Sequence, residues 1–393
     1  MRFRVLWLSL AAAVITMAPL AASGPRAAVQ IAQAGAVTQK LANDDVWAGL
    51  KLWYCRPAAV WNEALPVRNG RLGAMVYGRT VEEAIQLNEG TVWTGGPYDP
   101  SNPEALKALP EVRLLVFGGK FREAQELYGR KMMARPPNQQ KYQPLGDLWI
   151  RQTGLGRDTD QNKQLIGYRR ELDLDTAVAA ARYTIGGVTY TCEVFASLVD
   201  QVIAVRISAS RPGGLSFVVR LTGRKNKLTM DDTYARITEL DGKPVDTPGD
   251  ESFTTRSTDP LTLVLKGRTG TYLGIKGRIE YEARARVIPE GGRASLDGDS
   301  VTVTGADAAM ILVLAATNFV SFEDLGAEPA ARVDKILAAC AGRPYAAIKD
   351  DHVAEHHRLF RRASLLLPRT ATSNLPTDER LRAAAASAED PDL

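Results

Sequence analysis

Residues Arg182–Val194, RYTIGGVTYTCEV, contain the pattern that decides the fold. Apolar or aromatic side chains occupy every second position on both sides of Gly186-Gly187, which is the period of a β-strand with one buried face. Paired glycines accept the positive φ angles of a two-residue turn, so this segment predicts a β-hairpin. The alternating positions are Tyr183, Ile185, Val188, Tyr190, Cys192 and Val194.

The same alternation recurs on both sides of the hairpin. It is found in residues 203–207, 215–221, 261–265, 279–287 and 301–303. The run from residue 309 to residue 315 is almost entirely apolar, which suits a strand covered on both sides. Residues 52–76 hold short apolar runs broken by proline and glycine, as in strands joined by tight turns. This many antiparallel strands predict a mainly β protein with a large sandwich.

Two parts of the chain depart from the period of two and predict helices. Apolar residues recur at helical steps in residues 103–117, and a second helix is predicted for residues 121–133. This pair forms a small helical excursion from the sheets. Near residue 322 the period changes again, and helices over residues 329–342 and 345–362 predict an α-helical linker. A third helix, over residues 376–388, is expected to have nothing to pack against.

The first 23 residues have the layout of a secretory signal peptide. Arg2 and Arg4 precede an apolar run that ends at Pro19, and small residues follow up to Ser23. Residues 24–42, rich in Ala and Gln, are expected to form a flexible leader. No later segment is long and apolar enough to span a bilayer. The mature protein is therefore expected to be secreted or periplasmic, with no membrane contact after cleavage.

Charge and composition exclude several classes of function. Loss of Arg2 and Arg4 would take the formal charge from +4 to about +2, too little for a nucleic-acid binder. The glycines form no phosphate-binding loop, and no G-x-S-x-G nucleophile elbow is present. We therefore expect neither a cofactor nor serine-hydrolase chemistry. The cysteines, Cys55, Cys192 and Cys340, allow at most one disulfide; buried free thiols are favoured over a Cys55–Cys192 bridge.

Several motifs together resemble one known family. The longest is Leu52–Pro97, LWYCRPAAVWNEALPVRNGRLGAMVYGRTVEEAIQLNEGTVWTGGP, which is followed by Tyr142-Gln143-Pro144-Leu145-Gly146-Asp147. Shorter motifs extend the likeness from about residue 50 to residue 381, at residues 168–174, 305–309, 315–318 and 376–381. On these residues the chain resembles glycoside hydrolase family 95, whose members remove fucose, and in some cases galactose, from glycans.

The resemblance implies a domain organisation. Residues 43–322 would form a large antiparallel β super-sandwich, and residues 323–393 a helical linker that stops before an (α/α)6 catalytic barrel. The family inverts the anomeric centre, and its glutamate acid, asparagines and supporting aspartate belong to that barrel. No catalytic residue is therefore carried over to this chain, which is expected to be truncated and inactive alone. Arg68 departs from the family, where a small residue, often glycine, precedes the Asn-Gly turn.

The segment His352-Val353-Ala354-Glu355-His356 fits the H-x-x-E-H pattern of a zinc peptidase. Such a site also needs a third protein ligand and a cleft, and only a weak polar segment follows. The preferred interpretation is a linker helix whose histidines pack or hydrogen-bond against a neighbouring domain, so no metal site is expected. Adjacent acids also carry no catalytic role, because such neighbours point apart; these are Asp44-Asp45, Glu82-Glu83, Asp231-Asp232 and Asp350-Asp351.

A cluster of aromatic, amide and acidic residues is the candidate ligand-facing patch or domain interface. Aromatic faces suit the CH surface of a sugar, and amides and acids suit its hydroxyl groups. For each residue alone, a structural role in a turn, a loop or the core remains the competing interpretation, and the isolated acid Asp147 is weighed in the same way. The candidates are Trp61, Asn62, Glu63, Asn69, Asn88, Glu89, Trp93, Tyr142 and Gln143.

Two functional hypotheses follow. In the first, the chain is the non-catalytic amino-terminal part of an exported α-L-fucosidase, as a gene fragment or half of a split enzyme; a fucosylated glycan would be its substrate and the catalytic barrel its packing partner. In the second, it is a stand-alone module that binds a carbohydrate or a protein. An apolar face on the linker helices would need cover from another domain, which favours the first hypothesis. That face contains Val333, Ile336, Leu337, Ile348 and Leu359.

Overall fold

Two large antiparallel sheets account for most of the chain in a computed structural model of the protein. The structure describes residues 47–153, 155, 165–223, 239–240, 243–244, 252–259, 261–365, 367–386, 390 and 393. The signal peptide and leader predicted for residues 1–42, and the acid pairs Asp44-Asp45 and Asp231-Asp232, lie outside these residues. No helix within the described ranges is long and apolar enough to cross a membrane.

The strands, in chain order, are β1 (Lys51–Tyr54), β2 (Leu65–Arg68), β3 (Leu72–Val76), β4 (Glu82–Glu89), β5 (Gly146–Gln152), β6 (Ile166–Asp173), β7 (Val178–Ile185), β8 (Val188–Ser197), β9 (Val202–Ala209), β10 (Leu215–Thr222), β11 (Glu239–Leu240), β12 (Lys243–Pro244), β13 (Ser252–Asp259), β14 (Thr262–Arg268), β15 (Glu280–Glu290), β16 (Arg293–Asp297), β17 (Ser300–Ala306) and β18 (Ala308–Thr317). The helices are α1 (Ala105–Phe117), α2 (Phe121–Lys131), α3 (Pro329–Cys340), α4 (Tyr345–Phe360) and α5 (Thr377–Ala386), with short 3-10 helices at Trp61–Glu63 and Ala371–Asn374.

The two sheets face each other across the main core. The nine-stranded sheet has the order β1-β6-β7-β8-β9-β18-β15-β14-β13, and the seven-stranded sheet has the order β16-β17-β10-β5-β4-β3-β2. Buried side chains of both sheets form one cluster between them, including Ile85, Leu148 and Phe217 from one sheet and Val194 and Val205 from the other. This architecture confirms the predicted mainly β, antiparallel sandwich with a small helical excursion and following helices.

The β-hairpin predicted for residues 182–194 is confirmed in detail. Strands β7 and β8 pair in register from Ala179↔Val194 to Ile185↔Val188. Gly186 and Gly187 have φ angles of 57° and 74°, so both turn residues occupy the region that disfavours a side chain. The apolar run at residues 309–315 also lies in a strand, β18, that is buried along its whole length.

The linker helices cover the outer face of the nine-stranded sheet. Val333 of α3 and Ile348 of α4 are fully buried there, in a cluster with Phe195 and Leu312 of the sheet. The prediction that their apolar face needs cover from another domain was therefore wrong for most of its members, because the sandwich covers Val333 and Ile348 fully and Ile336 and Leu337 in part; Leu359 remains exposed, at 37%.

The last helix also differs from its prediction. Helix α5 was expected to have nothing to pack against, but it lies beside β1. The hydroxyl of Thr377 accepts a hydrogen bond of 3.0 Å from the Trp53 backbone N–H, and Arg56 lies 3.5 Å from the Asp378 carboxylate. An edge strand presents unpaired backbone N–H groups that other elements can bind. The helical period of α5 in the sequence does not indicate this contact with β1.

The cysteines are all free thiols. Cys192 is paired through Ala181 and Arg170 to Tyr54, so it lies three strands away from the end of β1. That separation is about 14 Å, at about 4.8 Å per strand, and is too long for a disulfide with Cys55. The preference for free thiols is confirmed, although Cys55 is exposed and Cys192 is half-buried, so that Cys340 alone of the three is buried as expected.

Candidate functional site

A cleft of about 590 Å3 lies at the edge of the seven-stranded sheet, on strands β2, β3 and β4. Its volume falls within the range of small-molecule binding sites. Four of the nine candidate residues line it. The lining residues are Trp61, Pro66, Val67, Arg68, Arg71, Gly73, Ala74, Met75, Gln86, Leu87, Asn88, Gly90, Trp93, Tyr142 and Pro144.

Strand register explains which side chains reach the cleft. Arg68 pairs with Gly73, which pairs with Asn88, and paired residues share one face of a sheet. Their neighbours along these strands, Val67 and Leu87, also border the cleft, but their side chains pack in the core between the sheets. Because Gly73 carries no side chain, a space remains between Arg68 and Asn88.

Trp61 stands at one wall of the cleft on a 3-10 helix and is 54% exposed. The loop that carries it is held from behind by Arg170, which is 1% exposed. The guanidinium of Arg170 donates hydrogen bonds to the backbone oxygens of Arg56, at 2.8 Å, and Glu63, at 2.7 Å. It also lies 3.9 Å from the ring centroid of Tyr54. Trp61 therefore projects from a loop with a rigid base.

Trp93 and Tyr142 form a second aromatic wall. Their ring centroids are 5.3 Å apart and their planes meet at 66°, an edge-on contact. The Trp93 indole N–H donates to the backbone oxygen of Gly90 at 3.0 Å, and the Tyr142 hydroxyl donates to that of Glu89 at 3.0 Å. These bonds fix both rings while Tyr142 remains 40% exposed. Burial raises the pKa of Tyr142, so the phenol stays protonated at neutral pH.

Glu63 and Asn69 have structural roles instead. The Glu63 carboxylate accepts a hydrogen bond of 2.8 Å from the Ala59 backbone N–H and pairs with Arg56 at 3.1 Å. The Ala59 bond, followed by the Arg56 charge, lowers the pKa of Glu63. Asn69 is buried, and its amide bonds to backbone groups of Leu72 and Ser197. Asn62 is exposed and lies outside the cleft lining.

Glu89 and Gln143 are likewise used within the fold. Glu89 is 1% exposed, and its carboxylate accepts bonds from the backbone N–H and hydroxyl of Thr91 at 2.7 and 2.6 Å. Gln143 is buried and accepts a bond of 2.9 Å from the backbone N–H of Gly270. Asp147 is also buried and does not line the cleft. The fold therefore uses these acids and amides for its own hydrogen bonds, whereas Trp61, Asn88, Trp93 and Tyr142 line the cleft.

The cleft carries positive charge and has no carboxylate among its described lining residues. Sequence reasoning missed Arg71 and Gln86 as lining residues and treated Arg68 only as a departure from the family. The period of two along β4 puts Gln86 on the same face as Asn88, so that residue could have been found from the sequence. Arg71 lies in the turn before β3, where no such period exists.

The histidine helix makes contacts with the sandwich. His352 and His356 each place Nε2 at hydrogen-bond distance from a backbone oxygen, Thr176 at 3.0 Å and Leu174 at 2.9 Å. Burial lowers the pKa of His352 and favours the neutral imidazole. This contact confirms that the histidines hydrogen-bond against a neighbouring part of the protein. Among the residues that the structure describes, no group of three metal-ligating side chains is found.

One buried acid stands apart from the cleft. Glu82 is exposed, but Glu83 is buried, and its carboxylate accepts hydrogen bonds from the backbone N–H groups of Tyr77, Gly78 and Arg79. Burial raises the pKa of Glu83 to about 7 although the three N–H donors oppose the shift. This carboxyl stabilises the turn between β3 and β4. Glu83 is not among the residues that line the cleft.

Comparisons with known proteins agree with this architecture. Residues 52–321 match the family model of the glycosyl hydrolase family 65, N-terminal domain. Residues 344–393 match that of the glycosyl hydrolase family 95 catalytic domain, a match that begins within the predicted linker. The putative kojibiose phosphorylase from human microbiome shares the fold, with a TM-score of 0.50 and 9% identity over 85% of this chain and 41% of that one. The fold and the two family models together define the class of protein, which is the glycoside hydrolases with an amino-terminal β-sandwich.

Curated relatives specify the family. The chain is 33% identical over 354 residues to Alpha-L-fucosidase 2 of Arabidopsis thaliana, covering 88% of this chain and 39% of that protein. It is 28% identical over 358 residues to Probable alpha-fucosidase A of Aspergillus niger, covering 85% and 40% respectively. The chain spans about two fifths of the length of these relatives. It belongs to glycoside hydrolase family 95, of the α-L-fucosidase type.

Proposed function

We propose that this chain serves an exported α-L-fucosidase-type glycoside hydrolase as its glycan-facing β-sandwich and linker, without cleaving the glycosidic bond itself. The aromatic cleft carries this proposal. Glycosidases commonly hydrolyse with two carboxyl groups that flank the scissile bond. The described cleft lining contains none, and the nearby Glu63 and Glu89 are held by hydrogen bonds inside the fold. Such a cleft can bind a sugar but lacks a proton donor and a base.

The proposal gives the cleft a binding role for fucosylated glycans. Trp61 and Tyr142 offer exposed ring faces for the CH surface of a sugar, and Gln86 and Asn88 offer amide donors and acceptors for its hydroxyls. The residues proposed to face the ligand are thus Trp61, Asn88, Trp93 and Tyr142. The relatives named as fucosidases support fucose as part of that ligand, and the family resemblance supports an inverting reaction in the whole enzyme.

The helical excursion supports a packing partner. Leu106, Leu114, Phe117 and Phe121 of α1 and α2 are 79%, 73%, 86% and 68% exposed, respectively. Large exposed apolar side chains on neighbouring turns are typical of an interface. We assign this surface, rather than the linker face, to the contact with a catalytic barrel.

A hydrolysis assay tests the proposal that this chain does not cleave the glycosidic bond itself. The purified chain is expected to release no measurable fucose from fucosyllactose or from an aryl fucoside. Turnover near the enzyme median of ~10 per second would contradict the assignment of the catalytic groups to another part of the enzyme. Export is tested separately by sequencing the amino terminus of the protein recovered outside the cytoplasm, where cleavage near Ser23 is expected.

A binding assay tests the cleft. Trp61→Ala is expected to weaken binding of fucosyllactose by roughly five- to ten-fold, because one exposed aromatic contact contributes about 1–1.4 kcal/mol. Phe117→Ala removes a ring that is more exposed, at 86% against 54% for Trp61, from a different surface and should leave this affinity unchanged. Equal losses in both variants, or none in either, would contradict the proposed role of the cleft.

A stand-alone binding module is the second candidate. The coverage of Val333 and Ile348 by the sandwich favours it, because the linker helices need no further domain to bury them. Co-expression with the downstream coding segment separates the candidates. Fucose release that appears only with both products supports the enzyme, whereas an inactive mixture that still binds glycan supports the module.

A further inference from the structure

The two arginines of the cleft differ in how their charge is compensated. Arg71 donates to Gln201 Oε1 at 3.1 Å and to the backbone oxygen of Ala315, and it lies 3.5 Å from the buried Glu89 carboxylate. Arg68 is exposed, and within the described part of the chain it donates only to the backbone oxygen of Gly70, at 3.1 Å. No described carboxylate pairs with it. Arg68 therefore leaves an uncompensated cation at the cleft.

The position of this cation relative to the rings is favourable for a ligand. Arg68 lies across Gly73 from Asn88, and its aliphatic stem is 3.6 Å from the place where a side chain at Gly73 would begin. It is close enough to Tyr142 for its charge to oppose the increase in the phenol pKa that burial causes. A guanidinium beside aromatic faces and free amides combines an anion contact with a stacking surface.

We infer that the cleft binds an acidic oligosaccharide, with the carboxylate of a uronic acid residue on Arg68 and a neighbouring sugar ring against the aromatic walls. A neutral sugar chain would use the rings and amides but leave the cation unpaired. A carboxylate can accept two parallel N–H bonds from one guanidinium, which makes the contact both stronger and more selective than a bond to a hydroxyl. The cleft volume of about 590 Å3 has room for such a ligand. This inference rests on the proposed function of the cleft and adds a charge requirement to it.

Titration calorimetry with the full chain tests the inference. The probes are a tetrasaccharide of galacturonic acid and the same tetrasaccharide with its carboxylates reduced to primary alcohols. The acidic probe is expected to bind at least ten-fold more tightly, the effect of one charge-assisted contact. Arg68→Gln should remove that difference and Arg68→Lys should retain part of it. Arg113→Gln, which changes an exposed arginine on α1, should leave both affinities unchanged.

The possible results distinguish failure of this inference from failure of the proposed glycan-binding function. Equal affinity for the two probes, or a difference that persists in Arg68→Gln, overturns the inference while leaving a glycan-binding cleft intact. Stronger binding of a sulfated neutral oligosaccharide than of the uronide overturns the assignment to a carboxylate. Binding of no probe, including fucosyllactose, overturns both. If Arg68→Gln does not fold, the comparison of the two probes on the unmodified chain and on Arg68→Lys still decides.

Discussion

Replacing Arg170 by alanine should destabilise the protein more than any exposed substitution in the same strand. Arg170 is 1% exposed, and no described carboxylate is among its hydrogen-bond partners. Burial lowers the pKa of Arg170, but a guanidinium remains ionised. Its donors instead satisfy the backbone oxygens of Arg56 and Glu63, which lie 114 and 107 residues away in the sequence.

The size of the effect follows from these contacts. Two hydrogen bonds from a charged donor contribute about 1.5–3 kcal/mol each, and the contact with the Tyr54 ring about 0.5–2 kcal/mol. Removing the guanidinium also removes its desolvation penalty of several kcal/mol. After the recovered desolvation penalty is subtracted, Arg170→Ala should lower the free energy of unfolding by about 3 kcal/mol, mainly because the carbonyl groups of Arg56 and Glu63 lose their donors.

Urea unfolding at pH 7, followed by tryptophan fluorescence, measures this loss as a change in the free energy of unfolding. Arg169→Ala is the matched control, because it removes a neighbouring arginine that is 43% exposed and pairs with Glu171 on the surface. Its cost should stay below about 1 kcal/mol. If Arg170→Ala costs no more than Arg169→Ala, the argument that this buried cation fastens the Trp61 loop is refuted.

Three further predictions concern the core and the thiols. The pKa of Glu83 is raised above its unfolded value to about 7, so its contribution to the free energy of unfolding is complete below about pH 4.5 and is lost as the pH rises through 7. In Glu83→Gln, the free energy of unfolding should therefore change less with pH across this range. Ile348→Ala, at a fully buried position, should cost about 2–4 kcal/mol in urea unfolding, whereas Leu359→Ala, 37% exposed, should cost under about 1 kcal/mol; equal costs would contradict the observed docking of α4. The exposed Cys55 should react with a thiol reagent in the native protein, and Cys192, whose pKa burial raises, only after unfolding; prompt reaction of both would contradict the packing.

The strands and helices could be predicted because their signals are local. Alternating side chains around Gly186-Gly187 identify β7 and β8, and helical spacing identifies α3 and α4 within a few residues of their observed ends. Burial of one face imposes these periods on any short segment, whatever its partner.

Partners distant in the sequence decided the rest. Periodicity groups Val333 with Ile348 as apolar positions, but it does not say that the outer face of the nine-stranded sheet covers them. The same limit applies to single residues: Asn69 and Glu89 have the polar groups of a sugar site, yet the folded chain uses those groups for its own backbone and side chains.

The sequence by itself determined the family, through motifs that resemble it, and the antiparallel sandwich, through a period of two that any strand with one buried face shows; it also supplied the aromatic residues that line the cleft. Only the tertiary structure decided which polar side chains stay free to meet a ligand. That choice depends on strand register and on loops that meet across more than 100 residues, as Arg170 meets Arg56 and Glu63. The tertiary structure places Arg68 in the cleft, where no described carboxylate pairs with it.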